Sequence, residues 1–225
     1  MNDLNKQAFG KLGRFLVALP LAVFLTAWTV DYWQAWIFLA IFSAASLAVT
    51  AYLMKHDPQL LERRIYAGPL AERHTRQRII QLLAFISFFA ILLFPPIDHR
   101  FGWSAVPPYV SIAGDALVAL GFLIVFLVFK ENTFASALIE IDSAQTVVST
   151  GPYAFVRHPM YAGALVLLIG TPLAMGSWWG LLTVVPITLV IIWRLLDEEQ
   201  FLATSLPGYA EYRNRVKYRL VPRIW

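Results

Sequence analysis

PMYAGALVLLIGTPLAMGSWWGLLTVVPITLVIIW, residues 159–193, runs for 35 positions without Asp, Glu, Lys or Arg. As one α-helix rising 1.5 Å per residue it would be about 52 Å long, far beyond a hydrocarbon core of about 30 Å. The stretch must therefore turn back on itself. Gly176-Ser177 is the natural break, leaving arms of 16 or 17 residues. Arms this short predict a hairpin that is shielded by other helices or only partly spans the bilayer.

Four further runs share this character: residues 15–30, 32–54, 79–97 and 107–129, the last interrupted only by Asp115. Over all 225 residues, 59% are apolar and 14% charged, against about 45–50% and about 25% in soluble domains. That excess excludes a soluble single domain, and β-barrel alternation is absent. The expected fold class is all-α, a polytopic integral membrane bundle of five to six transmembrane helices ending in a C-terminal helical hairpin. The first run lacks a small-residue cleavage site and is followed by further spans, so it reads as a retained helix. The chain has no cysteine, which removes disulfide scaffolds, thiolate metal sites, cysteine nucleophiles and iron–sulfur clusters. Trp28, Trp33, Trp36, Trp103, Trp178 and Trp179 fall near helix ends, as interfacial anchors do.

The net charge of +4 could suggest nucleic acid, but its distribution reads as topology. With a cytoplasmic N-terminus and six apolar segments, 17 of the 18 Lys and Arg residues fall on one side and Arg100 alone on the other, as the positive-inside bias requires. Both termini and the long loops are then cytoplasmic. Compactness suggests a bacterial or archaeal plasma membrane.

Candidate chemistry lies in those loops. Residues 55–78, rich in both charges, read first as a solvated stretch meeting anionic headgroups, with a role in closing an active site as the alternative. Asp115 sits inside a span, where an acid points to function unless helix packing satisfies it. Residues 130–161 are polar and carry the turn Thr150-Gly151-Pro152-Tyr153. Pro159 is placed for the first turn of a helix. The N–H groups of Met160, Tyr161 and Ala162 would offer anionic oxygens a site there. At the far end of the hairpin, Arg194 and Glu198 are four residues apart and share a helical face. The hairpin returns them to the level of His158 and Tyr161, making a polar pocket with no zinc-ligand set and no metal expected. Pro207 restarts a short helix with Tyr209, Tyr212 and Val216 on one side, a candidate cap over the pocket or a peripheral amphipathic helix.

Three ordered blocks carry a resemblance: VVSTGPYAFVRHPMYAGAL (147–165), RLLDEEQFL (194–202) and LPGYAEYRNRV (206–216). Together, over residues 132–216, they resemble the C-terminal half of the isoprenylcysteine carboxyl methyltransferase family. These are integral-membrane enzymes using S-adenosylmethionine, and membrane phospholipid methyltransferases share parts of the pattern. The resemblance implies that Glu140, Gln145, Thr146, Val147, Val148, Tyr153, His158, Pro159, Met160, Tyr161 and Glu198 contact the cofactor in a cytoplasmic pocket. It implies that Arg194 binds the substrate, with Arg194 and His158 catalytic. Residues 131–225 would form the methyltransferase region. Residues 1–130 would hold the N-terminal spans, the cytoplasmic loop and the route of substrate access.

The expected activity is methyl transfer to a lipophilic small-molecule or lipid acceptor, at a carboxylate oxygen, which needs no base and can be oriented by Arg194. A phospholipid amine is the alternative acceptor, and would need deprotonation assisted by His158 or an acid. A nicotinamide-dependent membrane reductase is a further reading. A transporter or structural membrane protein is another, although no internal repeat is evident and the polar groups cluster at one face rather than midplane.

Overall fold

The computed structural model describes residues 3–66, 75–136 and 145–225. Among them lie eight α-helices and no strand: α1 (Asp3–Ala27), α2 (Trp33–His56), α3 (Pro58–Ile65), α4 (Thr75–Phe101), α5 (Pro108–Glu131), α6 (Pro159–Ala174), α7 (Val184–Ser205) and α8 (Tyr209–Arg215). Short 3-10 turns, Gly151–Ala154 and Trp179–Thr183, precede α6 and α7. Helices α1, α2, α4 and α5 and the continuous segment Trp179–Ser205 are long and apolar enough to cross a membrane. Helix α6, the sixth apolar segment, has 16 residues, about 24 Å at 1.5 Å per residue, so it does not match a full bilayer by itself.

That short helix is held by an unusually close approach to α5. Gly114 and Gly121 on α5 face Gly170 and Gly163 on the antiparallel α6, each pair seven residues apart. A Cβ at Gly114 would lie 2.2 Å from the Ala174 backbone nitrogen, and one at Gly121 would lie 2.6 Å from that of Leu167. Where lipid offers no hydrophobic drive between helices, small residues that let two backbones touch supply the packing. Half of α6 is buried as a result.

The hairpin turns where the sequence breaks. Helix α6 stops at Ala174, Gly176 takes a left-handed φ of +69°, and Ser177 is buried. The Ser177 hydroxyl donates to Asp98 and accepts the Gly180 N–H at 2.8 Å, while Asp98 also accepts from Ser104 Oγ at 2.6 Å. Tyr32 donates to the Met175 carbonyl. This end of the bundle thus joins the α1–α2, α4–α5 and α6–α7 connections. It carries all six anchor tryptophans, exposed, and Arg100 stacked over Trp28.

The opposite end gathers the other connections. The reading of residues 55–78 as a solvated stretch is corrected here for the part described. Asp57 caps α3 by accepting the Leu60 N–H at 2.9 Å, Pro58 opens the helix, and Leu60 and Leu61 bury themselves against Leu53, Val128 and Phe129. With apolar residues on one face of so short a segment, docking is favoured over solvation. Residues 67–74 lie outside the described residues.

Candidate active site

The start of α6 is pinned by the C-terminal tail. The N–H groups of Arg157 and His158 donate to the carbonyls of Tyr218 and Arg219, each at 2.9 Å. Arg157 Nη1 reaches the carbonyls of Val216 and Lys217 at 2.8 and 2.9 Å. Its Nε donates to Glu199 Oε1 at 2.6 Å, and Arg219 Nε donates to Glu199 Oε2 at 2.8 Å. His158 Nε2 stands 3.4 Å from Glu199 Oε1. Arg157, His158 and Glu199 are all buried. A carboxylate taken out of water is tolerable here because two guanidiniums meet it and backbone carbonyls hold Nη1 of Arg157.

Next to this cluster opens a cavity. Gln145, Thr146, Val147, Val148, Tyr153, His158, Pro159, Met160, Tyr161 and Glu198 line it, together with Asn132, Phe134, Leu202, Leu206, Tyr209 and Tyr212. Helix α8 covers it: Leu206, Tyr209, Tyr212 and Val216 pack on Val147, Tyr153 and Leu202, and Tyr212 Oη donates to the Tyr153 carbonyl at 2.8 Å. Asn132 Nδ2 donates to Tyr153 Oη at 2.9 Å. Burial pushes the Tyr153 phenol up to about 12; the Asn132 bond opposes this and the Glu198 charge adds to it. Burial also raises the phenols of Tyr209 and Tyr212, so all three remain neutral donors at ordinary pH.

One wall of the cavity is a relay. Tyr161 Oη donates to Glu198 Oε2 at 2.6 Å and accepts from Arg194 Nε at 3.0 Å. Arg194 stands behind Tyr161, toward α4, with Nη1 3.5 Å from Gln77 Oε1. Gln77 Nε2 in turn donates to Asp197, which pairs with Arg76 at 2.9 Å. Gln145, Thr146, Val147, Val148, Tyr153, His158, Pro159, Met160, Tyr161 and Glu198 all line the cavity, whereas Arg194 is not among its lining residues; Glu140 lies outside the described residues. One expectation is corrected. The Ala162 N–H is not offered to a ligand, because it donates to the His158 carbonyl at 3.1 Å as the helix begins.

Sequence reasoning missed Arg157, Glu199 and Arg219, and it missed Arg64. The signal for the first two was adjacency: each flanks a singled-out residue, His158 or Glu198, and one step along a helix turns a side chain by about 100° toward a different neighbour. Arg219 and Arg64 carry no local signal, since their partners are distant in sequence.

Residues 109–207 match the phospholipid methyltransferase family. The matched region runs from the start of α5 to the entrance of α8, so it contains Tyr153, the α6 start, Tyr161, Arg194, Glu198 and Glu199. This agrees with the resemblance to membrane methyltransferases drawn from the three sequence blocks. The chain is also 30% identical over 101 residues, 44% of its length, to the cobalt-zinc-cadmium resistance protein CzcN of Cupriavidus metallidurans. It spans 46% of that relative, about half.

Proposed function

We propose that this protein is a membrane-embedded, S-adenosylmethionine-dependent methyltransferase acting on a lipophilic acceptor, with transfer to a carboxylate oxygen. The observation that carries the reading is the Glu198–Tyr161–Arg194 relay, of which Glu198 and Tyr161 line a capped cavity and Arg194 stands behind them, within the phospholipid methyltransferase match. An acid and a cation on either side of one phenol provide separate holds for a cationic cofactor and an acceptor.

The cavity suits the cofactor chemically. Glu198 can take an ammonium or ribose hydroxyl, and Gln145 an adenine or carboxylate. Tyr209 Oη is buried on the cavity wall with no hydrogen-bond partner among the described residues, a donor for a polar ligand. Tyr153, Tyr209 and Tyr212 supply aromatic faces that favour a sulfonium. Glu140 is proposed to join this set. When bound, the cofactor supplies an electrophilic methyl carbon. The chain's own work is alignment and exclusion of water by α8. Arg194 orients a carboxylate, which needs no base. His158, whose Nε2 stands 3.4 Å from Glu199 Oε1, is proposed to touch the cofactor and assist catalysis. The 1–130 region is proposed to admit the acceptor from the bilayer, with both termini and the cavity on the cytoplasmic side.

The family match favours a second acceptor, a phospholipid amine. Two measurements test these readings. Equilibrium binding should show affinity for S-adenosylhomocysteine and none for NADPH; the reverse would make the protein a reductase, and binding of neither would sink the enzyme reading. Labelled-methyl transfer into a total lipid extract, followed by identification of the product, should give a methyl ester rather than an N-methylated lipid.

A further inference from the structure

Helix α5 ends at Glu131, and the chain leaves it through Asn132 in an extended conformation. The carbonyls of residues 132–135 then need new partners, because a shielded backbone acceptor left unpaired is costly. Two are met within the segment: the Ala135 N–H donates to the Asn132 carbonyl at 3.2 Å and the Ser136 N–H to that of Phe134 at 2.7 Å. The other two are met by α3. Arg63 Nη1 donates to the Thr133 carbonyl at 3.3 Å, and Arg64 Nη1 donates to the Ala135 carbonyl at 3.0 Å.

These bonds bear on the cavity, since Asn132, Phe134, Ala135 and Ser136 all line it. The Arg63 guanidinium also lies 5.2 Å from the centroid of the Phe134 ring, and that of Arg64 lies 4.4 Å from the centroid of Phe129. Arg64 Nη1 approaches Sδ of Met160, another lining residue, at 3.7 Å. A planar cation that stacks on a ring while bonding a carbonyl fixes a direction as well as a distance. The helix that carries both arginines is itself anchored. Leu60 and Leu61 are buried, the Ile65 carbonyl accepts from Lys11 Nζ at 2.8 Å, and Tyr66 Oη donates to Gln7 Oε1 at 2.9 Å.

We infer that Arg63 and Arg64 are positioning residues for the cavity, holding residues 132–136 and Met160 in the shape that receives the ligand, although α3 lies outside the region that matches the family. Neither arginine is among the lining residues, so both act through the backbone and side chains they hold. Naming the ligand as the cofactor rests on the methyltransferase reading; the bracing of the wall does not. A wall that kept its receptive shape only about a tenth of the time would weaken apparent affinity about tenfold.

The test pairs hydrogen–deuterium exchange with equilibrium binding of S-adenosylhomocysteine, on the full chain in a non-ionic detergent. Arg63→Met and Arg64→Met keep an apolar stem and lose the donors. In each, exchange at the amides of Phe134, Ala135 and Ser136 should rise about tenfold while α6 and α7 keep wild-type protection, and S-adenosylhomocysteine should bind about tenfold more weakly. Arg64→Lys retains a donor and should recover part of both effects; it supplies the same two readouts should a methionine variant fail to fold. Unchanged exchange over residues 134–136, or unchanged affinity despite faster exchange, overturns the positioning role. A rise shared equally by α6 and α7 also overturns it, since the arginines would then support the whole bundle. Faster exchange confined to residues 134–136, with no S-adenosylhomocysteine binding even by the wild type, would instead overturn the methyltransferase reading and leave the bracing standing.

Discussion

Tyr161 and Glu198 share a hydrogen bond of 2.6 Å across the α6–α7 hairpin, with the phenol as donor. Because the same oxygen accepts from Arg194, the phenol is oriented from one side and spent on the other. Tyr161→Phe removes both bonds while keeping the ring. S-adenosylhomocysteine should bind about tenfold more weakly, the worth of one hydrogen bond to a charged group, and labelled-methyl transfer should fall further. Unchanged binding in a calorimeter would detach Tyr161 from the cofactor wall.

The two ends of the relay should separate in mutants. Glu198→Ala is expected to abolish S-adenosylhomocysteine binding, whereas Arg194→Ala should leave that affinity largely intact and destroy turnover. Parallel losses in both variants would place Arg194 on the cofactor or in the scaffold.

Glu199 should prove structural where Glu198 is functional. Glu199→Ala leaves Arg157 buried without its carboxylate, a change that typically costs about 3–5 kcal/mol. Thermal unfolding in detergent should show a large fall in the midpoint. Wild-type stability would show that the backbone carbonyls of Val216 and Lys217 suffice for Arg157.

Among the glycines, position decides the sign. Gly114→Ala places a methyl carbon 2.2 Å from the Ala174 backbone and should strongly destabilise the protein. Gly10→Ala on α1 meets nothing within 4 Å and should stabilise the helix by up to about 1 kcal/mol through propensity alone. Paired melting curves check both. Similar midpoints would mean that α5 and α6 separate without penalty.

The absence of cysteine makes orientation directly measurable. Val30→Cys and Thr204→Cys, both exposed and at opposite ends of the bundle, should react with a membrane-impermeant maleimide from opposite sides. Thr204→Cys should react from the cytoplasm. Labelling of both from one side would contradict the six-segment topology.

Much of the fold was legible because length and bilayer thickness leave few choices: 35 uncharged residues had to fold back, and they do so at Gly176. The return of Arg194 and Glu198 to the start of α6 follows from that hairpin and a spacing of four. The Glu199 cluster was not legible, because Arg219 comes from a tail with no periodicity, 20 residues on. Arg64 was hidden by composition, since a stretch so highly charged resembles one facing water. The docking of α3 is decided by Leu60 and Leu61, two residues in a polar setting. The seven-residue glycine spacings stand in the sequence, but their meaning needs the antiparallel register of α5 and α6.

Arg157 waits for partners made much later. Val216 and Lys217, whose carbonyls hold its guanidinium, follow it by 59 and 60 residues, about 3–12 s of ribosomal synthesis at roughly 5–20 residues per second. The nascent chain therefore inserts its anchoring helices first and assembles its cavity last. A chain arrested before Val216 would sit in the bilayer with the start of α6 unpinned and Glu199 missing one of its two arginines.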